Sequence, residues 1–203
     1  MTTALSAPDS STRLQAALAA GSRPDPARLE PLIERCAVEP DFFVRDMLTW
    51  ALTRLPPELT VPRLIQELFA VRAQARSQAL HTLSKVGDRN TWPAITTALL
   101  RDADDEVART AWRTAVALVP DEEREGLAVE LATQLGRGDR TVRLSLSRAL
   151  VDLGDVLSSA LGPGLVSADP DVRAHAHATL VLLRDPSAGF DEALHEARRH
   201  ADW

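Results

Sequence analysis

Side chains able to do chemistry are few and scattered in this chain. Five histidines and one cysteine occur in 203 residues. His195 and His200 enclose Glu196-Ala197-Arg198-Arg199, one residue more than the zincin spacing allows. Set five apart, they diverge by about 140° around a helix, so a shared zinc ion is not expected. His175 and His177 stand two apart and point to different sides. Cys36 has no histidine near it in sequence and reads as a small core residue rather than a nucleophile. A single cysteine also excludes an intramolecular disulfide. Arg137-Gly138-Asp139 reads as a turn followed by a helix cap. No phosphate-binding loop, GxSxG elbow or dinucleotide fingerprint is found. The expectation is a protein that is not an enzyme and carries no cofactor and no metal. What remains are recognition groups: Arg109, Arg113 and Arg148, whose planar forks suit carboxylate or phosphate, and the tryptophans Trp50, Trp92, Trp112 and Trp203.

The elements that position these groups come from composition and periodicity. Hydrophobic residues make up 45% of the chain and aromatics only 4%, with no tyrosine, so alanine and leucine supply most of the core and favour helix. Runs of β-branched and aromatic residues expected of strands are missing. The net charge of −6 argues against general nucleic-acid binding, which needs a basic face. No apolar run approaches the roughly 20 residues of a membrane span. The first residues lack the basic and apolar regions of a signal peptide, so a cytoplasmic protein is expected.

An internal repeat organises the chain. Thr12, Val44, Ala75, Val107, Val142 and Val172 anchor six copies, separated by 32, 31, 32, 35 and 30 residues. Arginine follows the anchor at 13, 45, 76, 143 and 173, while the fourth copy has Ala108 there and Arg109 one place later. Three residues before the anchors stand Asp9, Asp41, Arg72, Asp104, Asp139 and Asp169. A carboxylate there suits a helix start, because it accepts orphan backbone N–H groups at the positive end of the dipole. Offsets +4, +8 and +11 are almost all Ala, Leu or Val, and with the anchor they form one helical stripe. Pro56-Pro57, Gly87-Asp88, Pro120-Asp121, Gly154-Asp155 and Asp185-Pro186 stop these helices. Second helices are marked by Leu29, Leu32 and Ile33, by Leu64, Ile65 and Leu68, by Ile95, Leu99 and Leu100, and by Leu127, Leu131 and Leu135. Leu157, Leu161 and Leu165 mark a further one, interrupted by Gly162-Pro163-Gly164 and therefore short or kinked, and a last helix covers about 191–200. One such hairpin cannot bury its own stripe, whereas a stack can.

The columns, clearest in DFFVRDMLTWAL (41–52), DRTVRLSLSRALVDLGD (139–155) and DPDVRAHAHATL (169–180), resemble HEAT repeats of the phycobilisome-lyase type. The resemblance covers nearly the whole chain from Asp9 on. It implies a small bacterial solenoid, an all-α, right-handed α-α superhelix of about six helical hairpins. It also implies one domain over 1–203, with a short disordered N-terminus at about 1–8. Its repeated Asp and Arg would form a ladder inside the stack, making Arg13, Arg45, Arg76, Arg143 and Arg173 structural. Its concave face would hold a partner, as in scaffold proteins and in regulators that carry such repeats.

The face opposite the stripe carries offsets +2, +6, +9 and +13. The residues chosen from it as partner contacts are Trp50, His81, Arg109, Arg113 and Arg148. Trp112 lies nearer the buried edge and is expected in the core. The leading functional expectation is a non-catalytic scaffold for a protein partner. A fold-level likeness to HEAT-like DNA glycosylases would instead cast Trp50, Trp112 and Asp46 around a flipped base, which the acidic balance disfavours. A pocket for a small-molecule effector or chromophore is the other alternative.

Overall fold

A computed structural model describes residues 2–201 and is helical throughout, with no strand among those residues. Trp203 lies outside them, and the side chain of His200 is likewise not described. The chain divides into two compact units, Met1–Ile95 and Thr96–Trp203. In the first, the helices are α1 (Thr2–Leu5), α2 (Ser10–Ser22), α3 (Leu29–Cys36), α4 (Phe42–Thr53), α5 (Pro57–Glu67) and α6 (Ala73–Val86). In the second they are α7 (Thr97–Leu100), α8 (Asp105–Leu118), α9 (Arg124–Ala132), α10 (Arg140–Val151), α11 (Leu157–Ala160), α12 (Gly162–Leu165), α13 (Pro170–Arg184) and α14 (Phe190–Ala201).

The anchored helices begin where the carboxylates demand. Asp9, Asp41, Asp104, Asp139 and Asp169 each accept a backbone N–H from the first turn of α2, α4, α8, α10 and α13. Each such cap contributes about 1 kcal/mol. Arg72, in the same column, makes no capping bond at the start of α6. Gly87 ends α6 in the left-handed conformation that glycine adopts without steric cost. The Gly-Pro-Gly interruption splits its segment into the two four-residue helices α11 and α12.

The apolar stripe is the core. Every +4 residue (Ala16, Leu48, Ala79, Ala111, Leu146 and Ala176) is buried. At +8, Ala20, Leu52, Leu83, Ala115 and Leu150 are buried, and Leu180 is half-buried. Burying a leucine contributes roughly 1.5–3 kcal/mol, so these columns decide the packing. In the first unit α2, α4 and α6 pack side by side, with α3 on α4 and α5 on α6. In the second, α8, α10 and α13 form a corresponding row, with α7 on α8, α9 on α10 and α12 on α13.

Three expectations are revised. Thr12, the first anchor, is exposed, because it is occupied beside the Asp9 cap and not in the stripe. The first eight residues, read as disordered, include the short helix α1, whose Leu5 is buried. The last hairpin departs from the rest. α14 lies over Ala174 and Ala178 of α13, at offsets +2 and +6 of the face expected to be open, and over Leu182 beside them. Alanines at +2 and +6 leave room for Phe190, Ala193 and Leu194, which complete that cluster. No helix among the described residues is long and apolar enough to cross a membrane.

Candidate functional site

The repeated arginine has a local task that accounts for its spacing. From Nη1, Arg13 donates to the carbonyls of Ala7 and Pro8, Arg45 to those of Glu39 and Pro40, Arg76 to those of Ala70 and Val71, and Arg173 to those of Ser167 and Ala168. These are the carbonyls six and five residues upstream, in the turn entering each anchored helix. Arg143 reaches Gly138 O from Nε and pairs with Asp171 of the next copy at 3.3 Å. The arginines are therefore structural, but as clamps on loop carbonyls rather than as rungs of a ladder with the aspartates that cap the helices. In the fourth copy Ala108 cannot do this. Arg137, from the following turn, donates to Asp102 O, six residues before Ala108, and pairs with Asp105 at 2.8 Å. Its guanidinium also lies 5.9 Å from the Trp112 ring centroid.

In the first unit a charged cluster is buried beneath the clamps. Glu39 is fully buried and accepts from Arg13 Nε and Nη2 at 2.8 Å, from Arg35 Nε at 2.7 Å and from the Asp41 N–H at 2.9 Å. Burial alone would raise the Glu39 pKa. The hydrogen bonds from Arg13, Arg35 and the Asp41 backbone outweigh it and hold the carboxyl down at about 2. Gln74 bridges from the next hairpin to Cys36 O and Glu39 O. Burial pushes the Cys36 thiol up to about 12, which suits a packing residue and not a nucleophile.

The second unit buries a neutral network instead. His175 Nδ1 accepts the Gly136 N–H at 3.0 Å, which places the ring proton on Nε2. Nε2 lies 3.0 Å from Arg143 O and 3.0 Å from Ser147 Oγ. Ser147 Oγ contacts Thr179 Oγ1 at 2.7 Å, and Thr179 donates back to His175 O. Although this contains a Ser–His pair, Nε2 carries the proton and cannot take the serine's, so the pair is not an activated nucleophile. Desolvation drops the His175 pKa to about 4. Protonation would also set Nδ1–H against the Gly136 N–H. Gly136 itself has φ +85°, and a Cβ there would stand 2.9 Å from Val172 Cγ2.

The residues chosen from sequence fall in different environments. Trp50 is half-buried and its ring lies across Gly21, where a Cβ would approach Cζ3 to 2.2 Å. His81 is half-buried. Arg109 is not a free contact: it pairs with Glu106 at 2.9 Å, because one residue's displacement from the clamp column points it along its own helix. Arg113 is exposed and 4.0 Å from Glu106. Arg148 is exposed. Trp50 and His81 belong to the first unit and the three arginines to the second. Trp112 is fully buried and donates from Nε1 to Leu100 O at 2.8 Å, as the core reading requires. No group of three or more metal-ligating side chains occurs among the described residues.

Two features were not found by periodicity. The first is an aromatic edge on the first unit. Phe42, Phe43 and Phe69 are 66%, 69% and 75% exposed, and Val71 is fully exposed. Thus three of the four phenylalanines face water. Phe42 and Phe43 meet edge to face at 5.6 Å. Val38 and Phe69 occupy the same repeat position on neighbouring hairpins, each six residues before an anchor, and Gln74 ties the two turns together. Arg72 stands in this edge, exposed, where the other copies place a capping aspartate. The only available signal was an unexplained excess of Phe beside the anchors. The second feature is a cavity of about 380 Å³ in the second unit, between α10, α13 and the start of α14, which reaches Arg148.

No protein-family model matches the chain. No curated protein matches it. Among solved structures, an engineered protein from the Northeast Structural Genomics Consortium is similar at 19% identity, covering 100% of this chain and 96% of that one, with a TM-score of 0.46.

Proposed function

We propose that this chain is a non-catalytic, HEAT-like scaffold that captures a protein partner in the cytoplasm. The exposed Phe42–Phe43–Phe69–Val71 edge carries the reading. Large apolar side chains exposed together at neighbouring turns are kept on a folded protein chiefly where a partner covers them. Aromatic anchors flanked by arginine are the groups that dominate interface energetics. Arg72 strengthens the reading, because an aspartate there would cap α6 and be worth about 1 kcal/mol. A local rule broken without a packing gain is expected where function sets the residue. The partner is then an apolar segment with an acidic group placed for Arg72. The polar groups elsewhere support a non-catalytic role, since Glu39, His175, Ser147 and the column arginines all satisfy buried or loop groups.

The test is affinity capture from the native cell with quantitative mass spectrometry, using the intact chain and two variants. In Phe42→Ser/Phe69→Ser the apolar edge is removed without touching the core. In Trp50→Ala/Arg113→Ala the face read from sequence is altered. Loss of the same prey from the first variant and retention by the second supports the edge. The opposite pattern moves the contact to Trp50 and Arg113. Indifference to both variants refutes a scaffold acting through either surface.

A further inference from the structure

We infer that the cavity beside α14 is a binding site for a small monocarboxylate with an apolar tail. It belongs to the second unit and is independent of the aromatic edge. Its wall is one stripe of α10, with Arg140, Leu144, Arg148 and Val151 at intervals of four, four and three residues. Leu182 of α13 and Phe190 of α14 close the apolar side. A volume of about 380 Å³ lies within the roughly 300–1,000 Å³ typical of small-ligand sites.

The charge pattern selects the ligand class. Arg140 already holds a carboxylate, donating from Nε and Nη2 to the two oxygens of Asp191 of α14 at 2.5 Å. Arg148 presents the same fork two turns further along, at the cavity, and makes no ion pair or side-chain hydrogen bond among the described residues. A ligand carboxylate on Arg148 would repeat the Asp191 arrangement, with its tail on Leu144, Val151, Leu182 and Phe190. Arg140 is already occupied by Asp191, so a second carboxylate at the far end of the ligand would meet the apolar wall with no cation of the lining left to receive it, and a monoanion is favoured over a dianion.

Octanoate is the probe, titrated calorimetrically into the full-length chain below its micellar range. 1-Octanol, octylamine and suberate serve as controls. Octanoate is expected to bind saturably, at least tenfold tighter than 1-octanol or suberate, with no saturable binding of octylamine. Arg148→Gln changes an exposed side chain outside the core and is expected to lower octanoate affinity about tenfold while leaving 1-octanol unchanged. Val151→Trp fills the cavity and should remove both. Arg54→Gln, exposed in the first unit, should alter nothing. Octanoate binding no tighter than 1-octanol, or equal losses from Arg148→Gln and Arg54→Gln, overturns the assignment.

Discussion

The two units solve one problem, ordering the turns between stacked hairpins, with opposite electrostatics. In Met1–Ile95 the centre of order is the ionised Glu39, enclosed by Arg13 and Arg35. In Thr96–Trp203 it is a neutral chain of hydrogen bonds from Gly136 through His175 and Ser147 to Thr179. A buried ion pair is costly to break, because removing one partner strands the other's charge in a poor solvent. A buried neutral histidine fails differently, by acquiring a proton it has no acceptor for. Loop clamping by arginine is common to both, so the difference lies in what the clamps surround.

The comparison is most sharply broken at Glu39. Glu39→Gln keeps the shape and leaves Arg13 buried without its counter-charge. It should destabilise the first unit by about 3–5 kcal/mol, read as lost amide-exchange protection in that unit alone. Equal loss in both units would show that they are not separately ordered.

Acid should reverse the vulnerability. The unfolded imidazole of His175 takes a proton near 6.5, whereas the folded one stays neutral until about pH 4. Between those values the unfolded chain binds more protons, so stability falls as pH drops from 6.5 towards 4. The loss amounts to at most about 3 kcal/mol. Glu39 acts lower, since its contribution is present above 4.5 and is lost only as pH falls towards 2. Denaturation across pH 7 to 3 should therefore weaken the second unit first, and His175→Gln should flatten the slope between 6.5 and 4. A first unit that softens earlier would contradict both assignments.

Arg137 tests whether a clamp can be supplied from outside its own copy. Arg137→Ala should cost about 1.5–3 kcal/mol, the range for hydrogen bonds to charged groups. Arg109→Ala, which only pairs along its helix, should cost about 0.3–0.5 kcal/mol. Comparable effects would mean that Arg137 does not replace the missing column arginine. The smallest effect has the opposite sign. Arg72→Asp should restore the absent cap and stabilise the first unit by about 1 kcal/mol in chemical denaturation. It should also weaken partner capture. No gain in stability would show that the α6 start does not need a cap.

Much of this molecule was legible in one dimension. The Asp column marked helix starts that the structure places at Asp9, Asp41, Asp104, Asp139 and Asp169, since capping depends only on residues three apart. The Ala/Leu/Val columns marked the buried stripe, since helical period alone sets which side chains share a face. Trp112 was placed in the core by the same angular reasoning. Contacts across hairpins were less legible. Arg137 answering for Ala108, and His175 meeting Ser147, join residues 28 or more apart whose pairing no local period encodes. The expected open face failed at Ala174 and Ala178 because the stripe of α14 (Phe190, Ala193 and Leu194) fixes which of its own faces is buried but not which helix it is buried against.

Sequence by itself therefore determined the helices, their ends, the repeat and the inward stripe, because capping and periodicity act within one or two turns. Tertiary structure decided what the arginines hold, which phenylalanines stay in water and where a cavity opens. Those outcomes depend on which distant groups reach one another once the stripes are buried, and only the packed chain brings them within hydrogen-bonding distance.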